Sequence, residues 1–383
     1  MSSLRSTLFS SSRLPWTVPL AVTSLVLATA VAVPRIADAD ADLPDRSAGQ
    51  LIVALAESRE VPLAGTIVHS ADVGIPELPR FSSSGTSPLS LLSGATSLRV
   101  WYADETTYRL ALYGDLAETD LIRDGNDVWY WNSDQNVVMH QRADELEAAT
   151  EHKQNPTAGL PTETLAELAL LAVEESTVVE VDGTVTVAGR AAYELVARPR
   201  DDRSLIGEIR IAVDGDHGVP LRVQVIGTDG GDPAVDIGFT SVAFDEPDRS
   251  VFDFTPPPGA TLEEFDMSRW FADADDEKFP SDLEAEVVGD GWTSVLVVSG
   301  FDLDMLMDHF REMTDGVQEF GDLSGLVDAF IAEMRPTVGP YGTGLALESR
   351  LFSALWLDDG RLLVGAVDVD VLEDAAEGRT STP

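Results

Sequence analysis

Residues 208–225, with the sequence EIRIAVDGDHGVPLRVQV, contain the alternation that decides the fold. Apolar side chains occupy every second position on both sides of a turn at residues 214–218, and residues 235–239 continue the pattern. Successive side chains of a strand point to opposite faces, so a period of two predicts antiparallel strands with one apolar and one polar face. The apolar face must be covered by helices, by a second sheet or by a ligand. Its predicted members here are Ile209, Ile211, Leu221, Val223, Val225, Ile237 and Phe239.

Short strands separated by tight turns precede this region. The pattern predicts strands near residues 63–73, 98–102, 108–113, 120–123, 127–131 and 137–139, and such a series is typical of an antiparallel meander. Leu110 and Leu112 are expected to join the apolar face. Helical spacing predicts a short helix beginning at Ser47 and a second over residues 161–173.

A second unit follows the motif FDFTPPPG at residues 252–259, whose three prolines cannot continue a strand ladder. We expect an acidic linker over residues 260–282 and a smaller unit over 283–376. In that unit the sequence predicts a strand at 292–298, helices at 303–313 and 322–334, a hairpin around residues 358–360, and a short terminal helix. The predicted organisation is therefore 1–46, 47–259, 260–282 and 283–376.

The charge and the residue composition exclude several functions. The 383-residue chain has 67 acidic and 25 basic residues, a formal net charge of −42. Such a field repels nucleic acid, which excludes nucleic-acid partners, and it favours solubility. The absence of cysteine excludes structural disulfides, thiol nucleophiles, thiolate metal sites and a lipid-modified cysteine.

The amino terminus predicts export. Residues 14–34 are uncharged and mostly apolar, Arg5 and Arg13 precede them, and the stretch 38–45 that follows is acidic. About 20 apolar residues are needed to cross a bilayer, and basic flanks remain in the cytoplasm. Residues 1–46 are therefore either an uncleaved single-span anchor or a cleaved signal peptide with Ala37-Asp38-Ala39 at the cleavage site. Both interpretations place the rest of the chain outside the cytoplasm. An uncleaved anchor would hold it at the cell membrane, and cleavage would make it a secreted protein.

No motif of an enzyme is found in the sequence. It lacks G-x-S-x-G and H-E-x-x-H, neither of its two lysines follows a glycine as in a P-loop, and its five histidines are scattered. Asp38, Asp40 and Asp42 mimic the start of a calcium loop, but the glycine and glutamate that such a loop requires are missing. We therefore predict no catalytic residue, metal site or cofactor, and binding rather than catalysis.

Aromatic residues concentrate in the first strand block. The pattern places Trp129 and Trp131 on one face of their strand and Tyr130 on the other. The cluster is either core packing or the mouth of an apolar pocket, where indole and phenol rings suit a boundary between water and an apolar interior. Its members are Trp101, Tyr102, Tyr108, Tyr113, Trp129, Tyr130 and Trp131.

Residues 47–259 resemble the lipoprotein-carrier family of LolA-like proteins. They are similar in particular to actinobacterial relatives grouped with the amino-terminal domain of RseB and MucB. The resemblance rests on the order of motifs that individually are not diagnostic. They are LAGTIV (63–68), LRVWY (98–102), NDVWYW (126–131), AGRAAYEL (188–195), VPLRV (219–223) and FTPPPG (254–259).

The resemblance implies an α+β fold: a curved antiparallel half-barrel sheet, LolA- and LppX-like, with lid helices, plus a smaller α/β carboxy-terminal domain. In the carriers the concave face binds acyl chains, which implies a non-catalytic extracytoplasmic protein that binds a lipid or lipoprotein. In RseB-like proteins a similar domain binds a membrane-bound anti-sigma factor and responds to lipid, which implies the alternative of a regulatory sensor. The implied partners are an acyl chain and, in the alternative, a membrane-bound regulatory protein.

Overall fold

A computed structural model describes residues 43–58, 61–74, 94–114, 117–144, 176–264, 284–300 and 332–379. This part of the chain is mostly strand and forms two sheets. The larger sheet has twelve strands: β1 (Leu63–Ala71), β2 (Gly94–Asp104), β3 (Thr107–Tyr113), β4 (Glu118–Asp124), β5 (Asp127–Asn132), β6 (Val137–Arg142), β7 (Thr177–Val187), β8 (Arg190–Pro199), β9 (Ile206–Asp214), β10 (Pro220–Gly227), β11 (Val235–Ala243) and β12 (Thr261–Glu264).

The strand order of this sheet is β12-β6-β5-β4-β3-β2-β1-β11-β10-β9-β8-β7. Neighbours along the chain pair through hairpins, and the long-range pairing of β1 with β11 joins the two meanders into one sheet. Three strands separate β7 from β11 in this order, yet the two strands contact each other. Strands lie about 4.8 Å apart, so that contact requires a strongly curved sheet.

The turn between β7 and β8 shows how local sequence fixes a hairpin. Ala188 and Gly189 have φ angles of 51° and 77°, and Val187 pairs directly with Arg190. A two-residue loop with positive φ at both positions matches the right-handed twist of the paired strands. Glycine adopts this conformation without strain, whereas alanine does not.

Helix α1 (Ala48–Glu57) begins where the sequence predicted. The Ser47 hydroxyl accepts a hydrogen bond from the Gln50 backbone (3.3 Å), and the Gln50 side chain accepts one from the Ser47 backbone (2.8 Å). This reciprocal capping box satisfies two backbone N–H groups at the helix start. Leu51 is fully buried and packs against β8 and β9 through Leu195 and Val213.

The edge strand β12 was not predicted. Residues 261–264, which we assigned to an acidic linker, pair in parallel with β6. The prolines of the preceding motif end the antiparallel ladder, and Gly259, with a φ angle of 85°, turns the chain back towards the sheet. The Thr261 backbone then donates to the Asn136 carbonyl (2.9 Å).

The smaller sheet has six strands in the order β13-β14-β18-β17-β16-β15. Its strands are β13 (Glu284–Val288), β14 (Val295–Ser299), β15 (Arg335–Gly339), β16 (Gly342–Glu348), β17 (Ser353–Leu357) and β18 (Arg361–Gly365), and α2 (Val369–Ala376) packs on it through Leu372. The hairpin predicted around residues 358–360 is confirmed as β17–β18. The strand predicted at 292–298 begins only at Val295, because Gly291–Thr293 form a 3₁₀ turn. The helices predicted at 161–173 and 303–313 lie outside the described residues, and of the helix predicted at 322–334 the structure describes residues 332–334, of which 332 and 333 are helical.

The two sheets contact each other through specific hydrogen bonds. Arg350 donates to the Asp229 carboxylate (2.8 Å) and to the Asp72 and Asp232 carbonyls (2.9 and 2.8 Å). The Leu205 backbone donates to the Ala366 carbonyl (2.8 Å). One guanidinium thus ties the end of β1 and the β10–β11 turn to the smaller sheet.

Candidate ligand-binding face

The register of β9, β10 and β11 puts the predicted apolar side chains on one face. Val223 pairs with Ile211 on one side and with Ile237 on the other, and Val225 pairs with Ile209. Directly paired residues point to the same side of a sheet. We call this side, which continues through Ile67 of β1, the apolar face.

Most of the predicted binding residues form one buried cluster. Ile211 is half-buried beside the cluster, and half-buried Leu110 packs against it from β3. Leu112 is buried but lies outside the cluster. Leu112 pairs with Leu98, so all nine predicted residues lie on the apolar face and eight of them belong to the cluster or pack against it, while their role in ligand binding stays a prediction. The fully buried members, each at most 7% exposed, are Ile209, Leu221, Val223, Val225, Ile237 and Phe239.

Protein atoms already cover part of this face. Helix α1 packs over β8 and β9. Trp292, from the 3₁₀ turn before β14, joins the same cluster and donates from Nε1 to the Thr177 hydroxyl (2.7 Å). A ligand on β9–β11 would therefore have to displace protein side chains.

The apolar face is less covered on β2–β5. Leu110 pairs with Leu121, and Leu121 pairs with Tyr130, so all three side chains share the apolar face with Leu98. All four are only half-buried. We call Leu98, Leu110, Leu121 and Tyr130 the apolar margin. Sequence analysis singled out only Leu110 and the tyrosine of this set, because the register across four strands is what unites them.

The aromatic cluster is divided by the sheet. Trp129 lies on the opposite side from Tyr130, where it stacks on His140 with ring centroids 3.9 Å apart and contacts Phe254 at 5.5 Å. Trp101 lies on that same opposite side, beside the guanidinium groups of Arg99 and Arg109. By the same register Tyr113 and Trp131 lie on that side too, so of this cluster Tyr102, Tyr108 and Tyr130 can border a ligand on the apolar face.

Within the described part of the chain, one histidine interrupts the apolar face. His69 is 3% exposed and pairs across strands with Ile237. Its Nδ1 atom is buried without a hydrogen-bond partner within the described residues. Burial lowers the pKa of His69 to about 4, and the Asp236 carboxylate only partly opposes this shift. The imidazole is therefore neutral at physiological pH.

The side chains of Asp214, Asp216 and His217 resemble a metal site, since their ligand atoms lie within 4.8 Å of one another. The Arg190 guanidinium occupies this position instead. Its Nη2 donates to Asp214 Oδ1 (3.1 Å) and Asp216 Oδ2 (3.0 Å). Because a guanidinium already neutralises the carboxylates, the arrangement is an ion-pair network rather than a vacant cation site.

Asp120 lies on the opposite side of the sheet from the apolar face. It is 1% exposed and accepts from Arg109 Nη2 at 2.5 Å. Burial raises the pKa of Asp120 to about 7; the Arg109 charge opposes this shift and the Glu118 carboxylate adds to it. The ordinary pKa of an aspartate is about 3.9, so between pH 4 and 7 the unfolded chain has lost this proton and the folded protein retains it. The free energy of unfolding therefore falls as the pH rises from about 4 to 7.

We expect Asp120→Asn to remove this pH dependence. The parent protein should lose roughly 2–4 kcal/mol of unfolding free energy between pH 5 and pH 8 through this group, and the variant should not. Urea unfolding at both pH values measures the difference, with Asp134→Asn in an exposed turn as the control. A relative loss of stability at pH 8 would instead mean that the Arg109 ion pair keeps Asp120 ionised.

Comparison with known proteins agrees with the sequence motifs. Residues 96–257 match the MucB/RseB N-terminal domain. This match confirms the resemblance to the MucB/RseB amino-terminal domain that the sequence motifs indicated. The matched residues include nearly all of β2 and the whole of β3–β11. No curated protein sequence matches the chain.

Several solved structures are similar to the chain. The Pseudomonas aeruginosa MucA/MucB complex matches at 14% identity over 86% of this chain and 96% of the matched chain, with a TM-score of 0.44. A conserved protein from Thermus thermophilus matches at 12% identity over 57% and 99% (TM-score 0.33). A LolA superfamily protein from Nitrosomonas europaea matches at 8% identity over 55% and 99% (TM-score 0.21).

Among the described residues, none of the helices has the length and apolar character needed to span a bilayer. The predicted anchor or signal segment at residues 14–34 lies outside that part of the chain.

Proposed function

We propose that this chain is a non-catalytic, extracytoplasmic lipid-binding protein that holds an acyl chain against its apolar face. The observation that carries the proposal is the apolar margin. It continues the buried cluster of β9–β11 across β1 onto β2–β5, and its side chains are only half-buried. The match of residues 96–257 to the MucB/RseB N-terminal domain supports a binding role in the cell envelope.

The energetics of an apolar face suit this ligand. Each buried methylene contributes about 0.8 kcal/mol, so a sixteen-carbon chain contributes roughly 10 kcal/mol before the cost of ordering it. Such binding needs no charged anchor. It is compatible with a net charge of −42, because an acyl chain, unlike an anionic headgroup, is not repelled.

The proposed location is the outer side of the cytoplasmic membrane. An uncleaved segment at residues 14–34 would tether the protein there, and cleavage would release it. In both cases the acidic domains fold outside the cytoplasm.

A regulatory sensor is the second candidate. The family match favours it, since it is to a MucB/RseB domain, and MucB has been solved in complex with the periplasmic part of MucA. The smaller sheet, docked onto the larger one through Arg350, would then contribute to the surface for a membrane-bound regulatory protein. Lipid binding and partner binding are compatible in one molecule.

Native mass spectrometry of the chain isolated from producing cells tests the first candidate. We expect about one bound lipid or lipopeptide per chain. Leu110→Asp should lower the fraction of chains that carry a lipid and reduce the affinity for added lipid at least about tenfold. The reason is that a bound acyl chain would cover the new carboxylate and remove its hydration.

Val338→Asp is the matched control for Leu110→Asp. It introduces the same charge at a side chain that is 78% exposed on the smaller sheet, so binding should not change. A parent protein that carries no lipid and ignores added lipid would leave the partner-binding sensor as the better explanation. Equal losses in both variants would place the ligand elsewhere.

A further inference from the structure

His69 occupies a buried strand position at which an aliphatic side chain would pack against the apolar cluster. It follows Ile67 on the same strand face and pairs with Ile237, both members of the apolar cluster. Within the described residues Nδ1 makes no hydrogen bond, although the side chain is only 3% exposed. A buried polar atom without a partner destabilises a protein and is uncommon, so it calls for an explanation.

The position of β1 connects His69 to the proposed ligand. In the strand order β1 lies between β11, which contributes to the buried cluster, and β2, which contributes Leu98 to the apolar margin. An acyl chain on the margin would therefore lie beside the strand that carries His69.

The electrostatics around His69 restrict the ligand group. The burial that keeps the imidazole neutral also disfavours a charged ligand. Asp236, on the opposite face, is the carboxylate that acts on His69, and Arg222 and Gln224 both donate to it. An ionised fatty acid would place a second carboxylate beside a neutral ring and near Asp236, which is unfavourable.

We propose that His69 donates a hydrogen bond from Nδ1 to the carbonyl oxygen of an acyl ester or acyl amide, and so selects these ligands over free fatty acids. A carbonyl is the polar group that such a chain must bring into the apolar face. It accepts hydrogen bonds and donates none, so one imidazole N–H satisfies it. This inference rests on the proposed lipid-binding function and adds the class of ligand.

The test is His69→Leu in the full chain, with two uncharged probes of similar length, methyl dodecanoate and tridecane. Binding is measured by displacement of a fluorescent hydrophobic dye. We expect the variant to bind the ester about five- to tenfold more weakly, the effect of one hydrogen bond, and to bind the alkane as well as the parent does or better. Without ligand its melting temperature should rise by a few degrees, since the unpartnered atom is gone.

A second variant keeps the test decisive. His69→Gln retains a side-chain N–H donor and should keep most of the preference for the ester, whatever its effect on stability. Equal changes for ester and alkane in the leucine variant, or no change for either, would overturn the role of His69 while leaving lipid binding intact. A parent protein that binds neither probe would overturn the proposed function and this inference together.

Discussion

Replacing Arg222 by methionine is expected to lower the free energy of unfolding by about 3–5 kcal/mol. Arg222 and Asp236 form an ion pair between β10 and β11, with side chains only 6% and 4% exposed. Arg222 Nε donates to Asp236 Oδ1 at 2.8 Å, and Gln224 donates to Oδ2 at 3.0 Å. Methionine fills a similar volume but leaves the Asp236 charge buried without its partner, which is the source of the loss. Urea unfolding at neutral pH measures it.

The double variant Arg222→Met with Asp236→Asn separates the two contributions to this loss. It contains no buried charge, and the asparagine carbonyl can still accept from Gln224, so at least half of the lost stability should return. The exposed pair Arg249–Asp124, with Arg249 72% exposed, is the matched comparison, and Arg249→Met should cost less than about 1 kcal/mol. A double variant as unstable as the single one would show that the arginine acts mainly through packing.

Trp292→Ala is expected to cost about 3–5 kcal/mol. The indole is 5% exposed, packs into the apolar cluster of the larger sheet and donates to Thr177, yet it belongs to the turn between β13 and β14 of the smaller sheet. Its removal leaves a cavity at the contact between the two sheets. We therefore expect a lower urea midpoint and two unfolding transitions, in place of the single transition expected for the parent protein.

Trp292→Phe is the control for this prediction. It keeps an aromatic ring in the cluster but loses the hydrogen bond to Thr177, so it should cost about 1–2 kcal/mol and preserve a single transition. A loss below about 1 kcal/mol in the alanine variant would mean that the two sheets are held together mainly by Arg350 and the backbone contact between Leu205 and Ala366.

The alternation in residues 208–225 was sufficient to predict β9 and β10, their turn and their two faces. A strand that is apolar on one side can satisfy that side in only one register, so the pattern determines which side chains lie together. Ser47 likewise predicted the start of α1, because a capping box is a contact between residues three apart. The order of the six sequence motifs was enough to recognise the resemblance to the MucB/RseB amino-terminal domain, which the match of residues 96–257 confirms.

Contacts between distant segments were not predictable in this way. Residues 261–264, with the sequence TLEE, contain no signal for a parallel strand. Their pairing is explained by the edge of β6 that is left free by the antiparallel ladder. The apolar margin arises from registers accumulated over β2–β5, and the packing of Trp292 against β7 joins residues more than a hundred positions apart.

His69 shows the same division. The sequence places it on a strand face between apolar neighbours, but only the tertiary structure buries its ring and leaves Nδ1 without a partner among the described residues. Periodicity and caps are local and are therefore determined by the sequence itself. Burial, strand neighbours across the sheet and the docking of the smaller sheet depend on which surfaces meet, and only the folded chain decides that.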